Sequence, residues 1–381
     1  MTYLDHNAIT PVRPEAEAAV VRALRAFGNP SSVHAAGREA RDLLDRSRAE
    51  VAGALGVHPR DLVFTSGATE SAAIAIRGAL ATAPAGRTGL VVTAVEHPCV
   101  LDLAHELGRT GAQVRVVPVD RHGVLDLAAW REALGPGTAL ACCMLANNET
   151  GVIQPAAEAA DLAHAAGALF LCDAVQAAGK VPLSLPALRA DLAIITAQKF
   201  GGPRGAGALW MAPGVRLAPL AGGHQEKGRR AGTENLPGVA GMGAALAVAA
   251  AGAESEAARL GALRDRLESG ILAAVAGARV NGWGAPRLPN TTSISFPGAD
   301  GEALLMALDL EGVCASAGAA CTSGSTTPSH VLSAMGLTPA EARTTLRLSL
   351  GWTSTPDDVD RALALLPPVV ERVRAALSTP R

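Results

Sequence analysis

The sequence predicts an α/β protein, a large unit on a mostly parallel, doubly covered sheet followed by a smaller α+β C-terminal unit. Three observations predict it. Short apolar runs alternate with helical patterns, turn residues separate them, and the alternation stops near residue 240, where a long alanine-rich helical stretch begins.

The runs are DLVF (61–64), GLVVTAV (89–95), QVRVVPV (113–119), TALACCML (138–145), ALFLCD (168–173) and DLAIIT (191–196). Each is short enough for a buried strand, and the segments between them are long enough for crossover helices. Between Ala35 and Leu55 dense charge accompanies Leu44, Val51 and Leu55 at helical spacing, which predicts an amphipathic helix. Beyond residue 240 come a loop from Asn281 to Asn290, a strand-like TTSISF, a helix after Asp300 and a second strand-like RLSLG. Thr355-Pro356-Asp357-Asp358 supplies a cap, a first-turn proline and first-turn acids for a final helix. The expected division is 13–255 for the large domain, with 1–12 and 256–381 forming the small one.

Bulk properties exclude several classes. Of 381 residues, 49% are hydrophobic, enough for a substantial core, and the formal net charge of -2 provides no general attraction to nucleic acid or anionic membrane. The longest apolar run, Met242 to Ala251, is too short to span a bilayer. MTYLDHNAITPVRP lacks the charged and apolar blocks of a signal peptide, so the cytoplasm is the expected compartment. Six cysteines without a C-x-x-C pair fit reduced thiols better than disulfides or zinc. Cys142, Cys143 and Cys172 lie in apolar runs and read as core; Cys99 and Cys314 read as packing residues.

Three features carry chemistry. DLVF runs into Ser66-Gly67-Ala68-Thr69, and Glu70 onward reads as helix, so free N–H groups and a hydroxyl converge where a phosphate could sit; an ordinary capped helix start reads the same way. Asp173 ends a buried run, a costly place for an acid unless a cation or a shared proton meets it. Lys199 follows the end of the next run, where a lysine that merely reaches for solvent is the plain alternative. Strand ends in such sheets converge on one crevice. A phosphate cup, a buried acid and a lysine together suggest pyridoxal phosphate: Asp173 for the ring nitrogen and Lys199 for the aldehyde.

The ordered set LDHNAITP, FGNPSSVH, TSGATES, VEHPCV, NNETGVIQP, CDAVQAAGK, KFGGPRGAG, RRAGTEN, GAACTSGS and RLSLG resembles the cysteine desulfurases of the NifS/IscS type, in the class V branch of pyridoxal-phosphate fold type I, over nearly the whole chain. The resemblance implies a role for each matching residue. His97 would stack on the pyridine ring and move protons. Asn148 would contact the cofactor hydroxyl side and the substrate carboxylate, and Gln176 the phenolic oxygen. Ala68, Thr69, Thr196 and Gln198 would surround the phosphate, Thr233 would reach the phosphate of a neighbouring subunit in a homodimer, and Arg347 would clamp the substrate carboxylate. Cys321, on a loop of small residues, would take sulfur from L-cysteine as a persulfide, leave L-alanine, and pass the sulfur to an acceptor protein. No direct nucleic-acid or membrane partner is expected, and no metal.

A selenocysteine lyase, another aminotransferase-type enzyme, or a scaffold that keeps the pocket without turnover are the alternatives, and the Cys321 loop argues against them. The sequence departs from the family pattern mildly at Ala8-Ile9-Thr10 and Ala319-Ala320-Cys321. The larger departure is Gln198, where a histidine normally precedes the lysine. Glutamine donates a hydrogen bond but cannot become cationic, so weaker cofactor retention is expected.

Overall fold

The computed structural model describes residues 1–317 and 328–378. Its strands are β1 (Thr2–Tyr3), β2 (Leu62–Thr65), β3 (Gly89–Thr93), β4 (Gln113–Val117), β5 (Thr138–Met144), β6 (Leu169–Asp173), β7 (Leu192–Thr196), β8 (Gly207–Met211), β9 (Arg279–Val280), β10 (Thr291–Ser295), β11 (Val313–Cys314), β12 (Ser316–Ala317) and β13 (Thr345–Ser349). Seven of them form the main sheet in the order β2-β8-β7-β6-β5-β3-β4. Only β8 runs against its neighbours in this sheet; the other adjacent pairs are parallel. β8 lies outside the runs that read as strands, because the glycine-rich KFGGPRGAG before it disguises its start.

This strand order places the crevice. From β3 the chain steps outward to β4, then returns to β5 and continues in the other direction through β6 and β7, so the order reverses between β3 and β5. At such a switch point the flanking connections diverge and leave a cleft beyond the carboxyl ends of the strands. His97 follows β3, Asn148 follows β5, Asp173 ends β6, and Thr196 ends β7.

Strands β2, β3, β5 and β7 are buried along their whole length, which is why they read as continuous apolar runs; β8 is equally buried. The helix Leu236–Ala251 packs against Pro14–Arg25 and Ala35–Leu55. Glycines make this close approach feasible: a Cβ on Gly241 would lie 2.7 Å from Val20 Cγ2 and 2.9 Å from Pro203. Among the described residues no single helix is long and apolar enough to cross a membrane.

A second sheet, β12-β13-β10-β9, is antiparallel, and β1 pairs in parallel with β11 beside it. Its own apolar core joins Leu4 from the N-terminus to Leu267, Ile294, Phe296, Leu346 and Val359. The final helix, Pro356–Ser378, starts at the cap read from sequence: Thr355 Oγ1 receives Asp358 N–H, and Asp358 Oδ2 receives Thr355 N–H at 2.9 Å. One helix starts earlier than expected, at Ala68 and not Glu70, because Gly67 takes a positive φ of 155° that admits the chain directly into the first turn.

Candidate active site

A cavity of about 420 Å³ opens at the crevice, and among the described residues every candidate site residue read from the sequence lines it except Thr233. Thr233 is exposed on the loop before the helix Leu236–Ala251, and Cys321 lies outside the described residues. A larger hollow, about 540 Å³, beside Arg279 and Trp283 contains none of the predicted residues.

At one end of the cavity stands the start of the helix Ala68–Thr82. No side chain caps it, so its first N–H groups and positive dipole end are available to an anion. Only a glycine fits at the turn. Besides the positive φ of Gly67, β8 passes so close that a Cβ on Gly207 would lie 2.6 Å from Gly67 Cα. Thr196 Oγ1 donates to Gln198 Oε1 at 2.6 Å, which brings the amide expected at the phosphate to the same end. Glu70 accepts from Ser66 N and pairs with Arg230 at 2.9 Å; burial works against its ionisation, but these hydrogen bonds hold its pKa below the usual value.

Asp173 sits at the tip of β6 and accepts from Val175 N at 2.9 Å. Burial raises its pKa to about 6, against the hydrogen bond from Val175 and the Lys199 charge, which lower it. Lys199 closes a short 3-10 turn after β7, and its Nζ donates to the carbonyls of Asn7 and Ala8, each at 2.7 Å. His97 is both a helix cap and a cavity residue: its Nδ1 accepts from Cys99 N at 3.2 Å and starts the helix Pro98–Arg109. Burial first, then the charges of Lys199 and His330, lower its pKa to about 4. The ring is therefore neutral near pH 7, and because Nδ1 is an acceptor the proton rests on Nε2.

Arg347 is buried in the middle of β13, 1% exposed, so the plain alternative of a surface arginine does not apply. Its Nη2 donates to Asp5 Oδ1 at 2.6 Å and its Nη1 to Asn148 O at 3.0 Å, while Nε is buried without a hydrogen-bond partner among the described residues. Cys142, Cys143 and Cys172 are buried in the sheet, with thiol pKa values pushed up by burial and then by neighbouring acids and thiols. Cys99 packs against the apolar cluster under the sheet and, two residues after His97, also lines the cavity.

A family model for class-V aminotransferases matches residues 2–362. The chain belongs to the aminotransferase class-V family. It is 48% identical to a cysteine desulfurase of Cereibacter sphaeroides over 98% of this chain and 96% of that protein. A cysteine desulfurase of Gluconacetobacter diazotrophicus is 46% identical over 98% and 94%. Among solved structures a NifS-like protein superposes with a TM-score of 0.88 at 34% identity, covering 99% of each chain.

Class-V aminotransferases depend on pyridoxal 5'-phosphate, and the cavity fits that group on its own chemistry. The uncapped helix start suits a phosphate; a buried carboxyl whose hydrogen-bond donor is a backbone N–H suits a protonated ring nitrogen; and an amine lies between them on the adjoining strand end. Four residues of the surroundings were not singled out from the sequence. Asn7 gathers both lysines; Lys180 is a second buried amine; Glu96 is a fully buried acid behind β5; and Glu149 is a buried acid receiving Ser329 Oγ at 2.5 Å. All lie in the quoted motifs LDHNAITP, CDAVQAAGK, VEHPCV and NNETG, but each is buried by contacts far away in sequence that no local pattern reveals.

Proposed function

We propose that this chain is a pyridoxal-phosphate-dependent cysteine desulfurase: it converts L-cysteine to L-alanine and carries the sulfur as a persulfide on Cys321 for delivery to an acceptor protein. The observation that supports it most is the convergence of Lys199, Asp173, His97 and Arg347 on one cavity at the switch point of the sheet. The cysteine desulfurase relatives, matched over nearly their full lengths, give the substrate class.

Ala68, Thr69, Thr196 and Gln198 would hold the phosphate, Asp173 the ring nitrogen, and Asn148 and Gln176 the ring hydroxyl side. Bound there, the cofactor offers an aldehyde to the Lys199 amine and withdraws electrons from the substrate carbons. Arg347 faces the cavity and receives the substrate carboxylate, sharing its charge with Asp5. That contact orients the substrate so that its Cα–H meets the lysine amine. Lys199, released from its two carbonyl partners, takes that proton, and neutral His97 offers its Nε2 proton in the same space. The Cys321 thiolate attacks the substrate sulfur. An S–S bond forms to give the persulfide, the Cβ–S bond breaks with its electron pair left on the carbon side, and alanine results once Cβ has taken a proton and Lys199 has returned to Cα the one it removed.

A homodimer completes the account. Arg230, tied to Glu70 at the phosphate end, anchors the loop whose exposed Thr233 does not line its own cavity, in keeping with a role at a neighbouring subunit. Holoenzyme given L-cysteine and a reductant is expected to release alanine and sulfide in equal amounts. Cys321→Ser should abolish both while leaving the cofactor's absorption intact; retained turnover in that variant would contradict the persulfide step.

A further inference from the structure

Lys180 is a charged side chain in a place that strongly disfavours charge. It is 6% exposed, and among the described residues its amine meets only neutral acceptors: Nζ donates to Asn7 Oδ1 at 2.8 Å and to Gln176 Oε1 at 2.5 Å. Lys180 follows Gln176 by four positions within a turn, which brings the two side chains together just beyond the end of β6. Burial, then the like charges of Lys199 and Arg347, lower the Lys180 pKa well below the usual lysine value. An unpaired buried amine of this kind is retained against a substantial desolvation cost. Plain packing would be met by a methionine or leucine.

The pattern of donors shows what the amine does. The Lys180 amine donates to Gln176 Oε1, which places the amide oxygen toward it. That contact fixes an amide orientation which symmetry of shape would otherwise leave open. With Oε1 taken, the NH2 end remains: one hydrogen goes to Asn7 O at 3.0 Å, the same carbonyl that holds Lys199 Nζ at 2.7 Å. Gln176 lines the cavity, so the second hydrogen of that NH2 is what it can offer a ligand. Asn7 is itself held rigidly, 1% exposed, by Thr291 Oγ1 at 2.9 Å, Asn290 Nδ2 at 3.1 Å and Ser349 Oγ at 2.9 Å.

We infer that Lys180 is a positioning residue: through Gln176 Oε1 and Asn7 Oδ1 it locks the Gln176 amide as a donor toward the cofactor's anionic oxygen, and registers that donor against the Lys199 amine. The inference rests on the pyridoxal-phosphate reading of the cavity. It predicts that Lys180 acts on the cofactor only by way of Gln176.

A double-mutant cycle on the full-length holoenzyme tests it, read by the rate of cofactor dissociation and by the position of the cofactor's visible absorption band. Lys180→Met and Gln176→Leu should each speed dissociation roughly tenfold, the size of one charge-supported hydrogen bond, and shift the band in the same direction. The double variant should be no worse than about twofold beyond either single one, because both remove one device. Additive effects, near a hundredfold, or a Lys180→Met holoenzyme indistinguishable from the parent, would overturn the inference. If Lys180→Met does not fold, Gln176→Glu decides: its carboxylate still accepts from Lys180 but donates nothing, so the protein should fold and lose cofactor like Gln176→Leu, and parental retention would refute the donor role. Failure of the parent protein itself to bind pyridoxal phosphate would refute the cofactor reading instead.

Discussion

At Gln198 one side chain separates two kinds of phosphate grip. Its amide is tethered through Oε1 to Thr196 Oγ1 and lines the cavity, so it can donate to an anion, but it stays neutral at every pH. Removing it as Gln198→Ala should speed cofactor dissociation several-fold, the effect of about 1 kcal/mol for one neutral hydrogen bond, and Gln198→His should slow it. Stopped-flow loss of cofactor absorbance after dilution checks both; identical rates in all three proteins would show that residue 198 is not a phosphate ligand. Asp173→Asn should weaken cofactor binding more, at least tenfold, because the amide cannot take up a proton shared with the ring nitrogen; an equilibrium titration measures it. Asp173 was legible because it ends an apolar run, where a polar side chain stands out, and Gln198 because it departs from the family pattern just after one. Asn7 and Lys180 were not: the hydrogen bonds of Asn7 reach Asn148, Gln176, Asn290 and Ser349, partners brought to it only by the finished fold.

Elements show the same division between what is local and what is not. The helix Ala35–Leu55 was readable because its amphipathic spacing is contained within it, and its left-handed C-cap glycine, Gly56, closes it. Six strands of the main sheet were readable as apolar runs, to within a few residues at their ends, although β4, at the sheet edge, is largely exposed and not the buried strand its run suggests. β8 was not, since GALWM is short and follows a glycine-rich turn, and its antiparallel direction depends on how the chain re-enters the sheet. In the helix Leu236–Ala251 the glycines at 238, 241 and 243 resemble helix breakers by propensity, yet close packing on two other helices overrides that cost. Gly241→Val should therefore destabilise the protein by about 1–3 kcal/mol despite its better intrinsic fit to structure, because its side chain would meet Val20 and Pro203. Denaturant unfolding of the cofactor-free protein checks the loss; unchanged stability would mean that the helix can shift to make room.

Across the whole molecule, buried ionisable groups tie stability to pH. Burial raises Glu96 to about 8 and Glu149 to about 7, in each case against the hydrogen bonds that lower them. A carboxyl with a raised folded value keeps a proton that the unfolded chain releases, so stability falls as pH climbs from the ordinary 4.5 to those values. His6 and His97 act in the opposite sense: lowered from 6.5 to about 4, chiefly by burial, they subtract stability as pH falls through that range. Above pH 6.5 Glu96 and Glu149 take stability away as pH rises while Lys180, its amine held well below the ordinary lysine value by burial, acts in the opposite sense, so substitution isolates the acid: between pH 6.5 and 8 Glu96→Gln should lose less stability than the cofactor-free parent. Denaturant midpoints at the two pH values give the comparison, and parallel losses would place the titration elsewhere. The fold class was legible as a whole from the βα alternation and its end near residue 240, whereas the depth of these acids was not, since burial is a property of the assembled layers. What the assembled molecule does is tested most directly by a single turnover. Holoenzyme mixed with L-cysteine in the absence of reductant, then digested and weighed by peptide mass spectrometry, should yield one alanine per subunit and one added sulfur atom on the peptide that carries Cys321. Alanine formed while that peptide gains no sulfur would contradict the account.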